Sequence, residues 1–299
     1  NGRVVECWNT DAYGYQNDAQ SLYTSHPWVL AVRPDGTAFG VLADTTYRCE
    51  VDLREGIVFR ADGPEFPVIV IEGDSPQTVL KGLAQLTGTI AMPPLWAIGY
   101  HQCRYSYNPE SRVREIAQGF RERRIPADVI WMDIDYMQGY RVFTFDHAQF
   151  PDPAGLNAWL DTIGFSNVWM IDPGVKDEAG YFVRDEMIDR NLAVQNAAGE
   201  TYRGEVWPGW CVYPDYTMAE TRSWWAGLYE DYMGLGIDGV WNDMNEPAVF
   251  NVPTKTMPED NLHRADSELG GPSTHDRFHN VYGMLMVRGT REGVVDTNP

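Results

Sequence analysis

The sequence predicts an α/β protein whose larger part is the first half of a (β/α)8 TIM barrel. From about residue 94 onward, apolar strand-like runs alternate with amphipathic helical patterns, which is the order of a parallel sheet. Three of the runs end in aspartates, and no glycine-rich phosphate loop follows any of them. Carboxylates at the ends of successive strands are typical of barrel enzymes. The pattern therefore favours a barrel over a doubly wound sheet.

Residues 2–73 predict an antiparallel β region that precedes the barrel. Turn signals such as Arg33-Pro34-Asp35-Gly36 separate short apolar runs, which read WVLAV, AFGVL, GIVFRADG and FPVIVI. Short runs of this kind, bounded by Gly, Pro and Asp, indicate strands joined by tight connections. The first 74 residues are therefore expected to form a domain of their own.

A connecting helix is expected after these strands. Ser75 followed by Pro76 is typical of a helix start, and Gly88 is typical of a helix end. Residues 92–94, Met-Pro-Pro, then indicate a domain junction. The predicted division is residues 1–74 for the β domain, 75–93 for the helix and junction, and 94–299 for the barrel part.

The barrel part contains four predicted strands, with amphipathic helices between or after them. One helix carries Val113, Ala117 and Phe120 on a single face. The strands are expected at residues 95–101, 128–135, 167–174 and 237–244. Only four βα units fit, and an arc of four leaves an open edge and an exposed inner face. We therefore expect a second half of the barrel on the same or a companion chain.

Composition and charge exclude several classes of partner. The formal net charge of −20 predicts repulsion from nucleic acid and from anionic membrane surfaces. No apolar run is long enough for a transmembrane helix, and no signal peptide is recognisable. The four cysteines form no C-x-x-C pair, and no N-x-S/T acceptor occurs. A cytoplasmic location is the resulting expectation.

Asp133, Asp172 and Asp243 are the candidate functional carboxylates. Asp243 follows the β-prone run 237–241, and a short side chain at a strand end on rigid backbone suits a nucleophile. Aspartates also cap helices and turns, and Asp172 precedes Pro173-Gly174, which is itself a turn signal. From spacing alone, functional and capping roles are both open for Asp243 and Asp172.

Aromatic residues near the same strand ends favour a carbohydrate ligand. Sugar rings present C–H faces that stack on aromatic rings, while carboxylates accept their hydroxyl groups. The aromatic residues concerned are Tyr105, Trp131, Trp207, Trp210 and Trp241. For each single tryptophan, a place in the core is the more common role. The six histidines show no H-x-x-H or H-E-x-x-H grouping, so we expect no metal site, no cofactor and structural roles for the histidines.

The segment GIDGVWNDMNEPAVF, residues 236–250, resembles the nucleophile signature of glycoside hydrolase family 31. Further segments agree in order along almost the whole chain. They are WNTDAYGY, LTGTIAMPPLWAIGYHQCRYSY, DVIWMDIDYM, VWMIDPGV, VWPGWCVYPDYT and HNVYGMLMVRGTREG. The resemblance implies that the first domain is the end of an N-terminal β-sandwich and that the barrel belongs to a retaining α-glucosidase.

By this resemblance Asp243 is the catalytic nucleophile, and Asp133 binds the distal hydroxyls of the sugar in the −1 subsite. Asp172 is similar to an acidic residue that lines the pocket, and Asp11 to an aspartate that the N-terminal domain places over it. Glu246 is implied as a supporting residue. The resemblance also implies apolar or aromatic walls and edges, which are Tyr105, Ile134, Ile171, Trp207, Trp241 and Met244.

The family's general acid/base aspartate lies on a later strand and has no counterpart in these residues. The expected reaction is hydrolysis of a terminal α-linked glucose of an oligosaccharide by double displacement, with the acid/base supplied from outside this chain. Met244 favours a glucosidase over an α-xylosidase by the same resemblance. Three alternatives remain open: an α-transglucosylase, a metal-dependent barrel lyase that uses the three aspartates as Mg²⁺ ligands, and a non-catalytic sugar-binding remnant.

Overall fold

The computed structural model describes residues 2–250 and 252–297, and its first part consists of two three-stranded antiparallel sheets. The strand orders are β1-β4-β5 and β2-β3-β6. In chain order the strands are β1 Val4–Cys7, β2 Trp28–Val32, β3 Ala38–Ala43, β4 Cys49–Asp52, β5 Val58–Ala61 and β6 Val68–Gly73. Val29 of the second sheet packs against Cys7, Cys49 and Val51 of the first. The predicted antiparallel region is confirmed.

Helix α1, Pro76–Thr87, follows the second sheet and packs against β6 and β3. The Ser75 side chain caps it by accepting a hydrogen bond from the N–H of Thr78, which satisfies one of the free donors of the first turn. The helix ends at Gly88, whose φ of 82° lies in the region that favours glycine. Both predicted ends of this helix are therefore confirmed.

Four parallel strands form the barrel part, and they are neighbours in the order in which they occur in the chain. The elements up to the third strand are β7 His101–Gln102, α2 Glu110–Glu122, β8 Val129–Met132, α3 Pro153–Thr162 and β9 Ser166–Ile171. An additional segment of short strands and one helix follows before the fourth strand. It consists of β10 Val175–Lys176, α4 Phe182–Asp189, β11 Arg203–Val206 and β12 Gly209–Val212, whose three strands pair antiparallel.

The fourth parallel strand comes after two further helices. The remaining elements are α5 Ala219–Gly227, α6 Tyr229–Met233, β13 Gly239–Asn242, β14 Leu262–His263, β15 Ser273–Thr274 and α7 His275–Thr297. Consecutive parallel strands in chain order are the beginning of a (β/α)8 barrel. In the described residues the sheet is an open arc whose edges are β7 and β13. The predicted fold class is confirmed.

The first predicted strand is the least accurate of the four. Residues 95–98 form a 3-10 helix rather than part of a strand, and only His101 and Gln102 pair with β8. Leu95 and Ile98 are largely exposed. A strand at the edge of an arc has a hydrogen-bonding partner on one side only, so little holds the preceding residues in an extended conformation. The apolar run therefore predicted a longer strand than the sheet supports.

The hydrophobic core lies between the parallel sheet and its helices. Trp169 of β9 is fully buried, and its indole N–H donates to the side chains of Asn157 and Asn167. None of the helices within residues 2–250 and 252–297 has the length and apolar character that a membrane span requires.

Candidate active site

Three aspartates lie at the same edge of the parallel sheet. Asp133, Asp172 and Asp243 each come directly after the last residue of β8, β9 and β13, which are adjacent strands. Because the strands are parallel, their carboxyl ends meet at one face of the barrel, where active sites of this fold lie. The negative charge of Asp243 contributes to raising the pKa of both Asp133 and Asp172. The three aspartates predicted at strand ends are therefore grouped at one edge of the sheet in the structure.

Asp243 is partly buried at the turn after β13. Burial raises the pKa of Asp243, and the charge of Asp11 raises it further. A hydrogen bond from the N–H of Met244 lowers it, but the net effect is an increase. Met244 has a φ of 55°, a left-handed conformation that a non-glycine residue rarely adopts. The chain therefore turns sharply after the aspartate, which stays at the mouth of the arc.

Asp133 occupies the equivalent position after β8. Its carboxylate accepts a hydrogen bond of 2.7 Å from the N–H of Ile134, and it caps the short 3-10 helix Ile134–Tyr136. Burial nevertheless raises its pKa, with smaller contributions from Asp243 and Asp135. A capping role and a place in the site are therefore combined in one residue.

Asp172 is the most unusual carboxyl of the group. Only 2% of the residue is exposed, and neither carboxyl oxygen has a hydrogen-bond partner in the described residues. Burial, followed by the charges of Asp243, Asp133 and Glu246, raises its pKa well above the ordinary value. A buried carboxyl without donors holds its proton because the ionised form loses its hydration. Among the three aspartates, Asp172 is thus the one whose ionised form is disfavoured most strongly by its surroundings.

The N-terminal domain brings a fourth carboxyl to this edge. Asp11 raises the pKa of both Asp243 and Glu246 through its charge, so the residue lies close enough to interact with them. Burial is the larger cause for Glu246, and together the effects raise its pKa to about 7. The expected proximity of Asp11 to the strand-end carboxylates therefore agrees with the electrostatics.

The aromatic residues predicted near the site form two groups. Trp241 contacts Trp131 edge-to-face, with ring centroids 5.6 Å apart. Tyr105 and Trp207 lie nearly parallel at 5.9 Å, and Phe250 meets Trp207 edge-on at 5.2 Å. Tyr105 and Trp207 are exposed, which leaves ring faces free for a ligand.

The predicted apolar wall residues differ in their exposure. Ile134 and Ile171 belong to the hydrophobic core and are 1% and 0% exposed. Trp241 and Met244 are partly exposed beside Asp243. The contact of each with a sugar stays a prediction.

Two residues at this edge were missed by the sequence analysis. Cys103 follows β7 directly, so it occupies the strand-end position that the three aspartates occupy on the other strands. Its thiol is partly covered, and burial, followed by the charges of Asp133 and Asp243, raises its pKa. Extending the strand-end rule to the first strand would have identified it. Tyr23 also interacts with Asp11, Glu246 and Asp243, but it lies in a loop with no distinctive pattern.

Across the described ranges 2–250 and 252–297, no three His, Cys, Asp or Glu residues converge in a way that could hold a metal ion. Asp133, Asp172 and Asp243 are neighbours but do not form such a cluster. The four cysteines are all free thiols, and three of them are buried.

Comparison with known proteins identifies the family. Residues 90–299 match the glycosyl hydrolases family 31 TIM-barrel domain, and residues 1–52 match the glycosyl hydrolase 31 N-terminal galactose mutarotase-like domain. Over 297 residues the chain is 44% identical to alpha-glucosidase 2 of Bacillus thermoamyloliquefaciens, covering 98% of this chain and 37% of that protein. It is 34% identical over 321 residues to neutral alpha-glucosidase AB of Mus musculus, covering 98% of this chain and 33% of that protein.

A solved structure gives the same result. The family 31 alpha-glucosidase from Bacteroides thetaiotaomicron superimposes with a TM-score of 0.87 at 47% sequence identity, over 100% of this chain and 48% of that one. The chain spans about a third of the length of the curated relatives named above. The chain belongs to glycosyl hydrolase family 31 and comprises part of the family's N-terminal domain together with the beginning of its TIM barrel.

Proposed function

We propose that the protein containing this chain is a retaining α-glucosidase in which Asp243 is the nucleophile. The observation that carries the proposal is the position of Asp243 at the end of β13, within the signature Trp241-Asn242-Asp243-Met244-Asn245-Glu246 and beside Asp133 and Asp172. Relatives named as alpha-glucosidases support the substrate class. An oligosaccharide with a terminal α-linked glucose is the proposed substrate.

The proposed reaction is a double displacement. A carboxylate oxygen of Asp243 attacks the anomeric carbon, the glycosidic bond to the leaving oxygen breaks, and a glycosyl ester forms that water then hydrolyses. The raised pKa of Asp172 favours this role, because burial opposes a second negative charge beside the one that Asp243 needs for attack. Asp133, which is less strongly perturbed, would accept hydrogen bonds from the distal sugar hydroxyls.

The remaining site residues are proposed to shape the −1 subsite. Trp241 and Met244 flank Asp243 at its strand end, and the pair of Tyr105 and Trp207 offers exposed ring faces at the rim. Ile134 and Ile171 would support the walls from the core side. Asp11 would close the site from the N-terminal domain, and Glu246 would support Asp243.

A second carboxyl must complete the reaction. A retaining enzyme places its acid/base about 5 to 5.5 Å from the nucleophile, and we propose that this group lies on the second half of the barrel, on the same or a companion chain. General acid–base assistance contributes typically about 10²- to 10⁴-fold to a rate. These 299 residues alone should therefore show little or no turnover of natural α-glucosides.

The test uses the complete gene product. Asp243→Asn should abolish turnover of an aryl α-glucoside, whereas Asp161→Asn, at an exposed position near the end of α3, should leave it unchanged. An activated fluoroglucosyl fluoride, whose leaving group needs no proton, should label the peptide that contains Asp243. Near-normal turnover in Asp243→Asn, or labelling of a different residue, would remove the assignment.

Two further measurements separate the alternatives. Retained activity in EDTA argues against the metal-dependent lyase, and loss of activity that is restored by Mg²⁺ would favour it. Product analysis with an added acceptor sugar distinguishes hydrolysis from transglucosylation, because only the latter forms new oligosaccharides. Sugar binding without any turnover would favour the non-catalytic alternative.

A cytoplasmic location is also proposed. The free thiols and the lack of N-x-S/T acceptors in this sequence support it. Fractionation of the native cells tests it, and recovery of the protein outside the cytoplasm would contradict it.

A further inference from the structure

Asn9 is a buried polar residue in which every hydrogen-bonding group has a partner. It is 8% exposed and lies two residues before Asp11. Its backbone N–H donates to Asn280 Oδ1 at 3.0 Å, and its side-chain Nδ2 donates to the Asn280 carbonyl at 3.2 Å. Its Oδ1 accepts from both the N–H and the hydroxyl of Ser25, at 2.9 and 2.8 Å. Asn9 therefore joins the two ends of the loop of residues 10–24 and ties both to helix α7.

The loop of residues 10–24 carries the groups that the N-terminal domain contributes to the candidate site. Asp11 and Tyr23 both interact electrostatically with Asp243 and Glu246. The rest of the loop is open to solvent, and Tyr13 is 93% exposed. Packing thus does little to hold the loop, so hydrogen bonds at its base position Asp11. They are those of Asn9, together with the bonds from the Thr10 N–H to the Leu22 carbonyl and from the Ser21 hydroxyl to the Trp8 carbonyl.

Three buried histidines connect this anchor to the barrel. The Asn9 carbonyl is 2.7 Å from His279 Nε2, and His279 Nδ1 is 3.0 Å from His275 Nε2. His275 Nδ1 is 2.9 Å from His263 Nε2, and His263 Nδ1 is 2.7 Å from Asp215 Oδ1. His275 and His279 are four residues apart on α7, so they lie on one face of the helix. The result is a continuous hydrogen-bonded chain, here called the histidine chain, from Asp215 to Asn9.

The hydrogen-bond partners fix the position of each proton. A carbonyl oxygen only accepts, so the Asn9 carbonyl requires a proton on His279 Nε2. Burial lowers the pKa of His279 to about 3 and that of His275 well below its ordinary value, so both are neutral. Each then accepts through Nδ1 and donates through Nε2. His263 contacts the Nδ1 of His275 through its own Nε2.

Asp215 completes the assignment at the other end. Burial would raise its pKa, but the charge of His263 and hydrogen bonds from His263, Thr217 and the N–H of Arg264 lower it overall. An ionised carboxylate only accepts, so the groups that face Asp215, which are the Thr217 hydroxyl, the Arg264 N–H and His263 Nδ1, approach it as donors. Asp215 thereby fixes one end of the histidine chain, and His279 at the other end presents its N–H to Asn9.

His279 also packs against the N-terminal domain through its ring. The Trp8 ring stacks on it with ring centroids 3.7 Å apart and an interplanar angle of 14°. The Arg48 guanidinium lies 4.2 Å from the centroid of the Trp8 ring. The neighbouring Asn280 side chain donates to the carbonyls of Cys7 and Thr46 at 3.1 and 3.2 Å. The first turns of α7 therefore contact the N-terminal domain by both stacking and hydrogen bonding.

We propose that His279 and Asn280 act on the candidate active site through Asn9, as positioning residues. The N–H at His279 Nε2 donates to the Asn9 carbonyl and so fixes the position of Asn9. Asn9 in turn holds the two ends of the loop of residues 10–24 together, which places Asp11 near Asp243. The effect on catalysis rests on the proposed function of Asp243 and Asp11, whereas the proton positions and the loop anchorage do not.

The proton positions are tested directly in the complete gene product by long-range ¹H–¹⁵N correlation of its histidines. We expect His275 and His279 as neutral Nε2–H tautomers at pH 7. A charged His279 or a proton on its Nδ1 would overturn the histidine chain as described.

The loop anchorage is tested by proteolysis with two matched variants of the complete gene product. His279→Phe keeps a ring against Trp8 but removes the donor to Asn9, whereas His279→Gln loses the ring but keeps an N–H donor. Chymotryptic cleavage at Tyr13 should be faster in His279→Phe by on the order of tenfold, and closer to wild type in His279→Gln. Equal protection of the loop in all three proteins, at equal global stability, would overturn the proposal.

Kinetics test the link to the site. His279→Phe should raise KM by on the order of tenfold with a smaller change in kcat, and combination with Asp11→Asn should add little further, because both changes act on the same contact. His147→Gln, at an exposed position, serves as the control. Additive effects of the two substitutions would overturn positioning through Asp11. If wild type has no glucosidase activity while the proteolysis result holds, the proposed function fails and the anchorage stands.

Discussion

Glu246 should make the stability of this chain fall as the pH rises, and Glu246→Gln should remove that fall. The residue is 5% exposed, and its Oε2 accepts no hydrogen bond in the described residues. Burial, together with the charges of Asp11 and Asp243, raises its pKa from an ordinary value of 4.5 to about 7. In the unfolded chain the carboxyl regains its hydration and its ordinary pKa. Between these two values the folded chain keeps a proton that the unfolded chain releases.

The sign and size of the effect follow from proton linkage. Where the folded state binds more protons than the unfolded state, the free energy of unfolding falls with increasing pH. The fall begins near pH 4.5 and is complete above about pH 7. The two pKa values differ by about 2.5, and each pKa unit corresponds to about 1.4 kcal/mol, so Glu246 should cost about 3 kcal/mol at pH 8 relative to pH 4.

The measurement is urea unfolding of wild type and Glu246→Gln at several pH values from 4 to 8. The neutral amide has nearly the same shape as the protonated carboxyl and cannot ionise. The wild-type stability relative to the variant should therefore decrease by about 3 kcal/mol across this range. Glu122→Gln, at an exposed position on α2, serves as the control and should follow the wild-type curve.

The outcome that contradicts this reasoning is a constant difference between wild type and Glu246→Gln from pH 4 to 8. That result would mean that Glu246 ionises with its ordinary pKa in the folded chain. A wild type that gains stability relative to the variant as the pH rises would reverse the sign, and would mean that a cation or hydrogen-bond donor stabilises the carboxylate.

Two further predictions concern the same edge of the sheet. Asp172→Asn should be more stable than wild type at pH 7 and should lose that advantage toward pH 4. The reason is that the pKa of the buried carboxyl is raised, so its ionisation opposes folding only above the pKa of the unfolded chain. Denaturant unfolding at both pH values measures the difference, and an advantage of the variant that grows toward pH 4 would contradict the prediction. Cys103 should be the thiol that iodoacetamide modifies first, since the other three are buried, and Asp243→Asn should speed its modification at pH 7 by lowering the thiol pKa. Peptide mass mapping over time measures the rate, and an unchanged rate in the variant would show that the charge of Asp243 does not reach Cys103.

Local sequence was sufficient for the parts of the fold in which each residue's role depends on its neighbours in the chain. The capped helix α1 is an example, since Ser75, Pro76 and Gly88 act through hydrogen bonds and backbone angles within one turn. The three strand-end aspartates are another, because an apolar run followed by a carboxylate shows where a buried strand ends. Strand length at residues 95–101 was wrong, since pairing depends on a neighbouring strand that local pattern does not reveal.

The burial and the hydrogen-bond partners of the site carboxyls depend on tertiary structure. Asp172 and Asp133 occupy equivalent positions in the sequence pattern, yet only Asp172 is completely buried without a hydrogen-bond donor. The proximity of Asp11 to Asp243 joins residues that are far apart in the chain. No spacing rule predicts such contacts, because they arise from packing of one domain on another.

The histidines show the same difference between what the sequence predicts and what the tertiary structure adds. From the sequence they were expected to be structural and without a metal-ligand pattern, and their spacing predicts only that His275 and His279 share a helix face. The tertiary structure adds His263 from a β hairpin, Asp215 from the segment before α5, and the Asn9 carbonyl from the N-terminal domain. The sequence by itself thus determined the family, the order of strands and the identity of the candidate nucleophile. Burial and contacts between distant segments decided which side chains hold a proton, because both depend on the folded surroundings of each group.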